Sequence, residues 1–262
     1  MAETPVTVGI ITYDHAHLKT EQLVSRLLLN ARVPGGPVLG LKLLALPFSP
    51  RPKRDVLFQH RPDQEQAANT RDLARFQDID LLPCTYDAIP DVADYYLVAG
   101  AGIFLASAIG RKKIINAHPG IIPSARGLDA FKWTILDQVP LGVTLHYIDA
   151  EVDAGETIAI FETPVFPEDD LMTLARRHYE LELDVLCEFL KIMKGGLRPP
   201  RTDYPANPPR RRMPIDRERE MVASFPSYRA KYSVRSSRDG NGIDPGGSGA
   251  APDQNRSSLG VN

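Results

Sequence analysis

The segment Val6 to Thr12 (VTVGIIT) constrains the fold more than any other. It is β-branched and almost wholly apolar, with no polar alternation, which is how a strand covered on both faces of a parallel sheet reads. Parallel pairing needs a crossover, and the chain supplies one: Leu18, Gln22, Leu23, Leu27 and Leu28 recur at helical spacing between about His17 and Asn30. The theme repeats. Leu41 to Leu46 follows the turn-rich VPGGP at 33–37, and Tyr95 to Ala99 follows a polar stretch that reads partly as helix at 65–77. Lys113 to Asn116 and Gly142 to Ile148 come next, separated by a segment whose Ala130, Trp133, Ile135 and Leu136 mark a helix. One long helix over Leu171 to Met193 is expected to end at Gly195-Gly196. Strands alternating with helices predict an α/β fold with a Rossmann-like, mostly parallel sheet flanked by helices.

The charge is unevenly spread along the chain. Residues 198–239 carry eleven Lys/Arg against five Asp/Glu, although the whole chain has a formal net charge of -2. Prolines crowd the same region (Pro199, Pro200, Pro205, Pro208, Pro209, Pro214), and from Ser236 onward Gly, Ser, Asn and Asp dominate. The expected organisation is therefore a folded domain over 1–197, a basic Pro-rich extension over 198–235 and a disordered tail over 236–262. A folded unit of that size buries roughly 70% of the surface of its unfolded chain. Cys84 and Cys187 lie far apart, and neither has a partner at metal-ligand spacing, which favours a reduced, cytoplasmic setting. The first residues lack the pattern of a secretory leader, and no apolar run is long enough to span a membrane.

In such a fold chemistry collects at the carboxyl ends of the strands. No GxGxxG follows the first strand, no GxxxxGK[ST] is present and no GxSxG elbow supplies a nucleophile. What remains is Asn116-x-His118 at one strand end and Asp153 in the loop after the next strand. An amide, an imidazole and a carboxylate supply an oxyanion donor, a titratable base and a group that orients it. None is a good covalent nucleophile here, so the set suits direct attack by an amine or water on an activated acyl donor. The same residues would also serve as turn caps around Pro119 and Asp153-Ala154-Gly155.

The run Asn116-Ala117-His118-Pro119-Gly120-Ile121-Ile122-Pro123-Ser124-Ala125-Arg126-Gly127, then Gly142-Val143-Thr144-Leu145-His146, then Asp149 and Asp153-Ala154-Gly155-Glu156-Thr157-Ile158, resembles the folate-dependent formyltransferase family. Its members use 10-formyltetrahydrofolate and include glycinamide ribonucleotide, methionyl-tRNA and nucleotide-sugar amine formyltransferases, and formyltetrahydrofolate hydrolase. The resemblance is dense from about Ile115 to Phe161 and thin before it. It implies that Asn116 holds the formyl oxygen, that His118 stabilises the developing charge or takes a proton from the attacking amine, and that Asp153 pairs with His118. It implies further that the folate lies against Ala101, Gly102, Ile103, Phe104 and Leu105, and against Asp149, Ala150, Glu151 and Val152. His146 matches a family position behind the site, where a hydrogen-bonded core histidine is an equally good reading.

The acceptor side is less determined. Where a glycinamide ribonucleotide enzyme of this family carries a Gly/Ser-rich phosphate loop, this chain has Tyr13-Asp14-His15-Ala16-His17, which disfavours purine synthesis. His15 and His17 do not share a helix face, so they are expected to contact acceptor rather than metal, and no metal is predicted. The cationic stretch 48–64, with Arg51, Arg54 and His60, follows the second strand end and would suit an anionic group, or else forms a charged loop. Arg126 reads as a solvated arginine at a helix N-terminal turn rather than a catalytic group, with a role in shaping the acceptor side as the alternative. Arg210-Arg211-Arg212 without interleaved aromatics does not predict a nucleic-acid partner. The expected activity is transfer of the formyl group of 10-formyltetrahydrofolate to the primary amine of a small molecule, such as an amino sugar, nucleotide sugar or specialised metabolite. The alternatives are 10-formyltetrahydrofolate hydrolysis and a non-catalytic folate-binding module. No membrane partner is expected, and a homodimer is compatible with the sequence.

Overall fold

In the computed structural model, residues 5–50, 54–149, 153, 155–195 and 205–234 are described. The expected tail over 236–262 lies outside them, as do Arg51, Ala150, Glu151 and Val152. In chain order the elements are β1 (Val6–Tyr13), α1 (Leu18–Arg32), β2 (Leu39–Leu46), α2 (Thr70–Gln77), β3 (Asp80–Pro83), β4 (Tyr95–Val98) and α3 (Ala106–Ile109). There follow β5 (Ile114–His118), α4 (Ala130–Leu136), β6 (Gly142–Tyr147), β7 (Thr157–Glu162), α5 (Leu171–Cys187), α6 (Phe189–Lys194) and α7 (Ile215–Tyr232).

The seven strands form one sheet in the order β3-β2-β1-β4-β5-β6-β7. The first five run parallel, and β6 runs antiparallel between β5 and β7, which keeps the direction of the others. The apolar run that opened the chain is paired on both sides, with Val8 facing Leu41 and Tyr95. Its side chains split between two layers: Val8 and Ile10 pack with Leu23, Leu27 and Leu183, while Ile11 packs with Leu44, Tyr96 and Ile114. Gly9 is required on the second face, since a Cβ there would sit 2.7 Å from Leu44 Cδ1 and 2.9 Å from Tyr96 Cδ1. The strand order reverses between β1 and β4, and the crevice beyond their carboxyl ends is where ligands bind in open α/β sheets.

The long helix expected over Leu171 to Met193 is two helices, because the chain turns at Glu188 before α6. The C-terminal end adds a further layer of contacts. Residues 205–234, basic and proline-rich by composition, pack into the fold. Glu218, Met221, Phe225 and Tyr228 of α7, spaced three, four and three residues apart, are buried. The three apolar ones pack in a third cluster with Phe131, Trp133 and Ile135 of α4. Arg210 forms a parallel bridge to Gly127, and Trp133 Nε1 donates to the Arg211 carbonyl at 2.8 Å. Arginines that read as a charged stretch thus flank backbone that is stitched to the domain.

Candidate functional site

The three polar residues singled out from the strand ends converge. Asn116 and His118 lie on β5, where the register pairs them with His146 and Thr144 of β6. Asp153 sits in the β6–β7 connection with φ 48°, a left-handed conformation that turns its carboxylate back over β5. Asp153 Oδ1 lies 3.4 Å from His118 Nδ1 and 3.9 Å from His146 Nε2. Its Oδ2 accepts from the Gly127 amide at 2.9 Å. The other ring nitrogen of His118, Nε2, donates to the Ala125 carbonyl at 2.6 Å. The Asp153 contact is longer than a good N–H···O bond, so Nδ1 is the nitrogen with room for chemistry.

His146 orients the amide. Its Nδ1 donates to the Tyr147 carbonyl at 2.9 Å, leaving Nε2 as acceptor for Asn116 Nδ2 at 3.3 Å. Burial, with His118 close by, lowers its pKa to about 4 against the opposing pull of Asp153, so at neutral pH it is the uncharged acceptor this geometry requires. One hydrogen of the Asn116 amide is thereby fixed, and the second remains for an oxygen in the crevice.

The turn after His118 is held from two directions. Thr144 Oγ1 donates to the Gly120 carbonyl at 2.8 Å and accepts from the Ile122 amide at 3.0 Å. His178 of α5 bonds Thr163 Oγ1 through Nδ1 at 2.7 Å and the Pro119 carbonyl through Nε2 at 3.2 Å. Gly120 permits the close approach, because a Cβ there would meet Ala125 O at 2.5 Å and His118 Nε2 at 2.9 Å. The peptide bond before Pro123 is cis. Farther along, the Arg126 carbonyl accepts from the Arg210 amide at 2.9 Å, and the Arg210 carbonyl accepts from Leu128 at 2.9 Å. The strip that presents Gly127 N to Asp153 is therefore bound to the C-terminal region. His178 went unnoticed in the sequence because it sits in an otherwise apolar helical pattern; its buried neighbours Leu174, Ala175 and Leu183 supplied the dominant signal.

The remaining candidates separate into two groups. In the loop assigned to folate, Ile103 and Leu105 are exposed by 70% and 57% while Phe104 is buried. The Leu105 amide bonds the Tyr86 carbonyl, and Tyr86 packs beside Phe104. Asp149 is exposed at the end of β6. At the β1 end, His15 stacks on Phe48 with ring centroids 4.1 Å apart, and His17 meets Tyr13 edge to face. The cationic loop is pinned rather than open. Leu57 and Phe58 amides bond Glu218, His60 stacks on Phe131 at 5.7 Å, and Arg61 pairs with the buried Glu182. Arg54 is exposed. Among the described residues no group of three His, Cys, Asp or Glu side chains could hold a metal, and no helix is long and apolar enough to cross a membrane.

Comparison with known proteins bears on this geometry. Residues 90–190 match the formyl transferase family. That span runs from just before β4 to α6 and contains Asn116, His118, His146, Asp153 and His178. Within the formyl transferases, the chain is 37% identical over 84 residues to the methionyl-tRNA formyltransferase of Koribacter versatilis, covering 32% of this chain and 27% of that protein. It is 32% identical over 88 residues to the phosphoribosylglycinamide formyltransferase of Haemophilus influenzae, covering 33% and 42%. The matched segment thus spans less than half the length of either relative. Among solved structures, a sugar N-formyltransferase from a Shewanella species superposes with a TM-score of 0.54 at 16% identity, over 84% of this chain and 87% of that one. Phosphoribosylglycinamide formyltransferase from Anaplasma phagocytophilum gives 0.52 at 21%, over 73% and 88%. These likenesses extend the shared fold well beyond the matched segment.

Proposed function

We propose that this chain is an N-formyltransferase that moves the formyl group of 10-formyltetrahydrofolate to the primary amine of a small molecule. The observation that carries the reading is the convergence of Asn116, His118 and Asp153 at one strand edge, with His118 Nδ1 3.4 Å from Asp153 Oδ1, inside the segment that matches the formyl transferases. The exposed Ile103 and Leu105 beside Tyr86 and Phe104 form an apolar rim suited to a planar pteridine, so the residues present fit the donor. When bound, the donor supplies an activated one-carbon acyl group.

The rest of the chemistry falls to the chain. Asn116, fixed by His146, gives its free amide hydrogen to the formyl oxygen as that oxygen takes negative charge; a single such donor is worth about 3 to 4 kcal/mol of barrier. The amine nitrogen forms the new bond to the formyl carbon, and the bond from that carbon to the folate nitrogen breaks. The proton lost by the amine passes to the His118–Asp153 pair and returns to the departing folate nitrogen. Sugar amines are favoured as acceptors because a sugar N-formyltransferase is the neighbour with the broadest mutual coverage among those named above.

The test is direct. Purified protein is mixed with 10-formyltetrahydrofolate and a panel of primary amines, and deformylation is followed by absorbance while the product amide is identified by mass. Amine-dependent turnover that falls about a hundredfold or more in Asn116→Ala supports the reading. Equal turnover with no amine present would instead make water the acceptor and the protein a hydrolase, and undiminished activity in His118→Ala would remove that residue from the mechanism.

A further inference from the structure

The helix that follows the first strand of such a sheet points its N-terminal amides at the crevice, and those amides are a natural seat for phosphate. Here the seat is filled from within the chain. The Gln64 carbonyl accepts from Leu18 N at 2.8 Å, and its side-chain Oε1 accepts from Lys19 N at 3.1 Å. The Thr20 and Glu21 amides bond the His17 carbonyl at 3.0 and 3.2 Å. The first-turn amides of α1 are all engaged.

The flanking cations are committed as well. Lys19 Nζ lies 2.5 Å from Glu182 Oε1, with both side chains buried, and Arg61 Nη2 lies 2.5 Å from Glu182 Oε2. His17 stands where a phosphate would want a cation, yet burial, with the charges of Lys19 and Arg61, lowers its pKa to about 4. Its Nδ1 bonds Thr20 Oγ1 at 2.9 Å, and Thr20 Oγ1 bonds Thr12 Oγ1 in turn. Its Nε2 has no hydrogen-bond partner among the described residues. That atom faces the end of β4, since a Cβ on Gly100 would lie 2.9 Å from it. Gly100 follows β4, the strand between β1 and β5. β4 is the direct neighbour of β5, so one strand spacing of about 4.8 Å separates the backbone that the His17 ring faces from the strand that carries His118.

We propose that Gln64 sets the class of acceptor by closing the α1 end to phosphate, leaving His17 Nε2 as a contact for a hydroxyl or amide of an acceptor with no phosphate ester at that end. The proposal rests on the formyl-transfer reading, but half of its test does not depend on it. Inorganic phosphate is titrated calorimetrically into the full chain, its Gln64→Ala variant and its Gln64→Glu variant, with thermal melts to show that each is folded. Gln64→Ala frees the Lys19 amide alone, since the Leu18 amide stays on the residue-64 backbone carbonyl, so weak saturable binding is expected in that variant only; the glutamate still caps the Lys19 amide and adds a negative charge. In kinetics, glucosamine is compared with glucosamine phosphate. The parent is expected to prefer the unphosphorylated amine by about tenfold or more in kcat/KM, equivalent to about 1.4 kcal/mol, and Gln64→Ala to narrow that ratio. His17→Phe is expected to raise the acceptor KM several-fold with kcat held, and His17→Asn to restore it. Phosphate binding to the parent, preference for the phosphorylated amine, or an unchanged KM in His17→Phe would overturn the proposal. If no amine is formylated by any variant, the formyl-transfer reading fails by itself, and the calorimetry still decides whether the α1 end is closed.

Discussion

Replacing Glu218 by alanine isolates one buried polar contact between α7 and the rest of the molecule. Glu218 is 1% exposed and takes three hydrogen bonds: from Lys132 Nζ at 2.5 Å, from Leu57 N at 2.5 Å and from Phe58 N at 3.2 Å. Burial opposes its ionisation, and the bonds from Lys132 and the two amides outweigh that, so its carboxyl lies below the usual range. Lys132 is 2% exposed, and losing Glu218 strands its ammonium away from water. Removing one partner of such a pair costs about 3 to 5 kcal/mol. The Leu57 and Phe58 amides add little, because Leu57 is 50% exposed and water can replace the carboxylate there. For a domain of this size each kcal/mol moves Tm by about 2 to 4 °C, so Glu218→Ala should melt roughly 6 to 20 °C below the parent. The control is Glu220→Ala, which breaks an exposed pair with Arg217 and should cost under about 0.5 kcal/mol. Lys132→Met with Glu218→Leu removes both charges, and that double variant should recover most of the loss. Melts read by near-ultraviolet circular dichroism decide the matter. A single variant within about 1 kcal/mol of the parent, or a double variant as damaged as the single, would refute the assignment of a stranded charge.

Three further outcomes follow from the same geometry. Gly127 has φ +87°, and a Cβ there would lie 2.3 Å from Arg210 O, so Gly127→Ala should destabilise by more than about 1 kcal/mol and lower kcat by detaching the amide that holds Asp153; unchanged kcat and melting would count against it. His146→Ala should lower kcat about tenfold, less than Asn116→Ala, since it frees the amide without removing it, and a kcat equal to the parent's would mean that the amide is held by other means. Stability should also fall in acid. His17, His146 and His178 are each held to about 4 mainly by burial, so the unfolded chain takes up protons near pH 6.5 while the folded one resists until about pH 4. Their contribution to folding is present above pH 6.5 and is lost as pH falls to about 4. Burial works against ionisation of Glu182, but Arg61 and Lys19 hold it down to about 2, so its share is lost only between about pH 4.5 and pH 2. Chemical denaturation at stepped pH reads both phases, and a flat profile from pH 7 to pH 4 would contradict the first.

Legibility in the sequence followed burial on both faces. β1, β2, β4 and β6 announce themselves as apolar runs because each has neighbours on either side. The edge strand β3, only DLLP, carries an exposed aspartate and a proline and has no such run. The other edge, β7, was hidden within the motif that follows Asp153. Asn116, His118 and Asp153 were legible because polar residues stand out where an apolar run stops. His178, Glu182 and Gln64 were not, because their roles depend on distant partners: Glu182 meets Lys19 from 163 positions away. α7 was masked by its charges, although Met221, Phe225 and Tyr228 hold helical spacing within it. Average composition weighs all faces of a helix alike, whereas packing depends on one.

The bridge between Gly127 and Arg210 spans 83 positions of chain, and α7, which follows it, ends at Tyr232. During synthesis from the N-terminus, every residue of the Asn116, His118 and Asp153 set leaves the ribosome well before the strip that braces it. The nascent chain can therefore hold its reactive groups long before it holds them in register. The brace on the Gly127 strip can form only once residue 210 has been made.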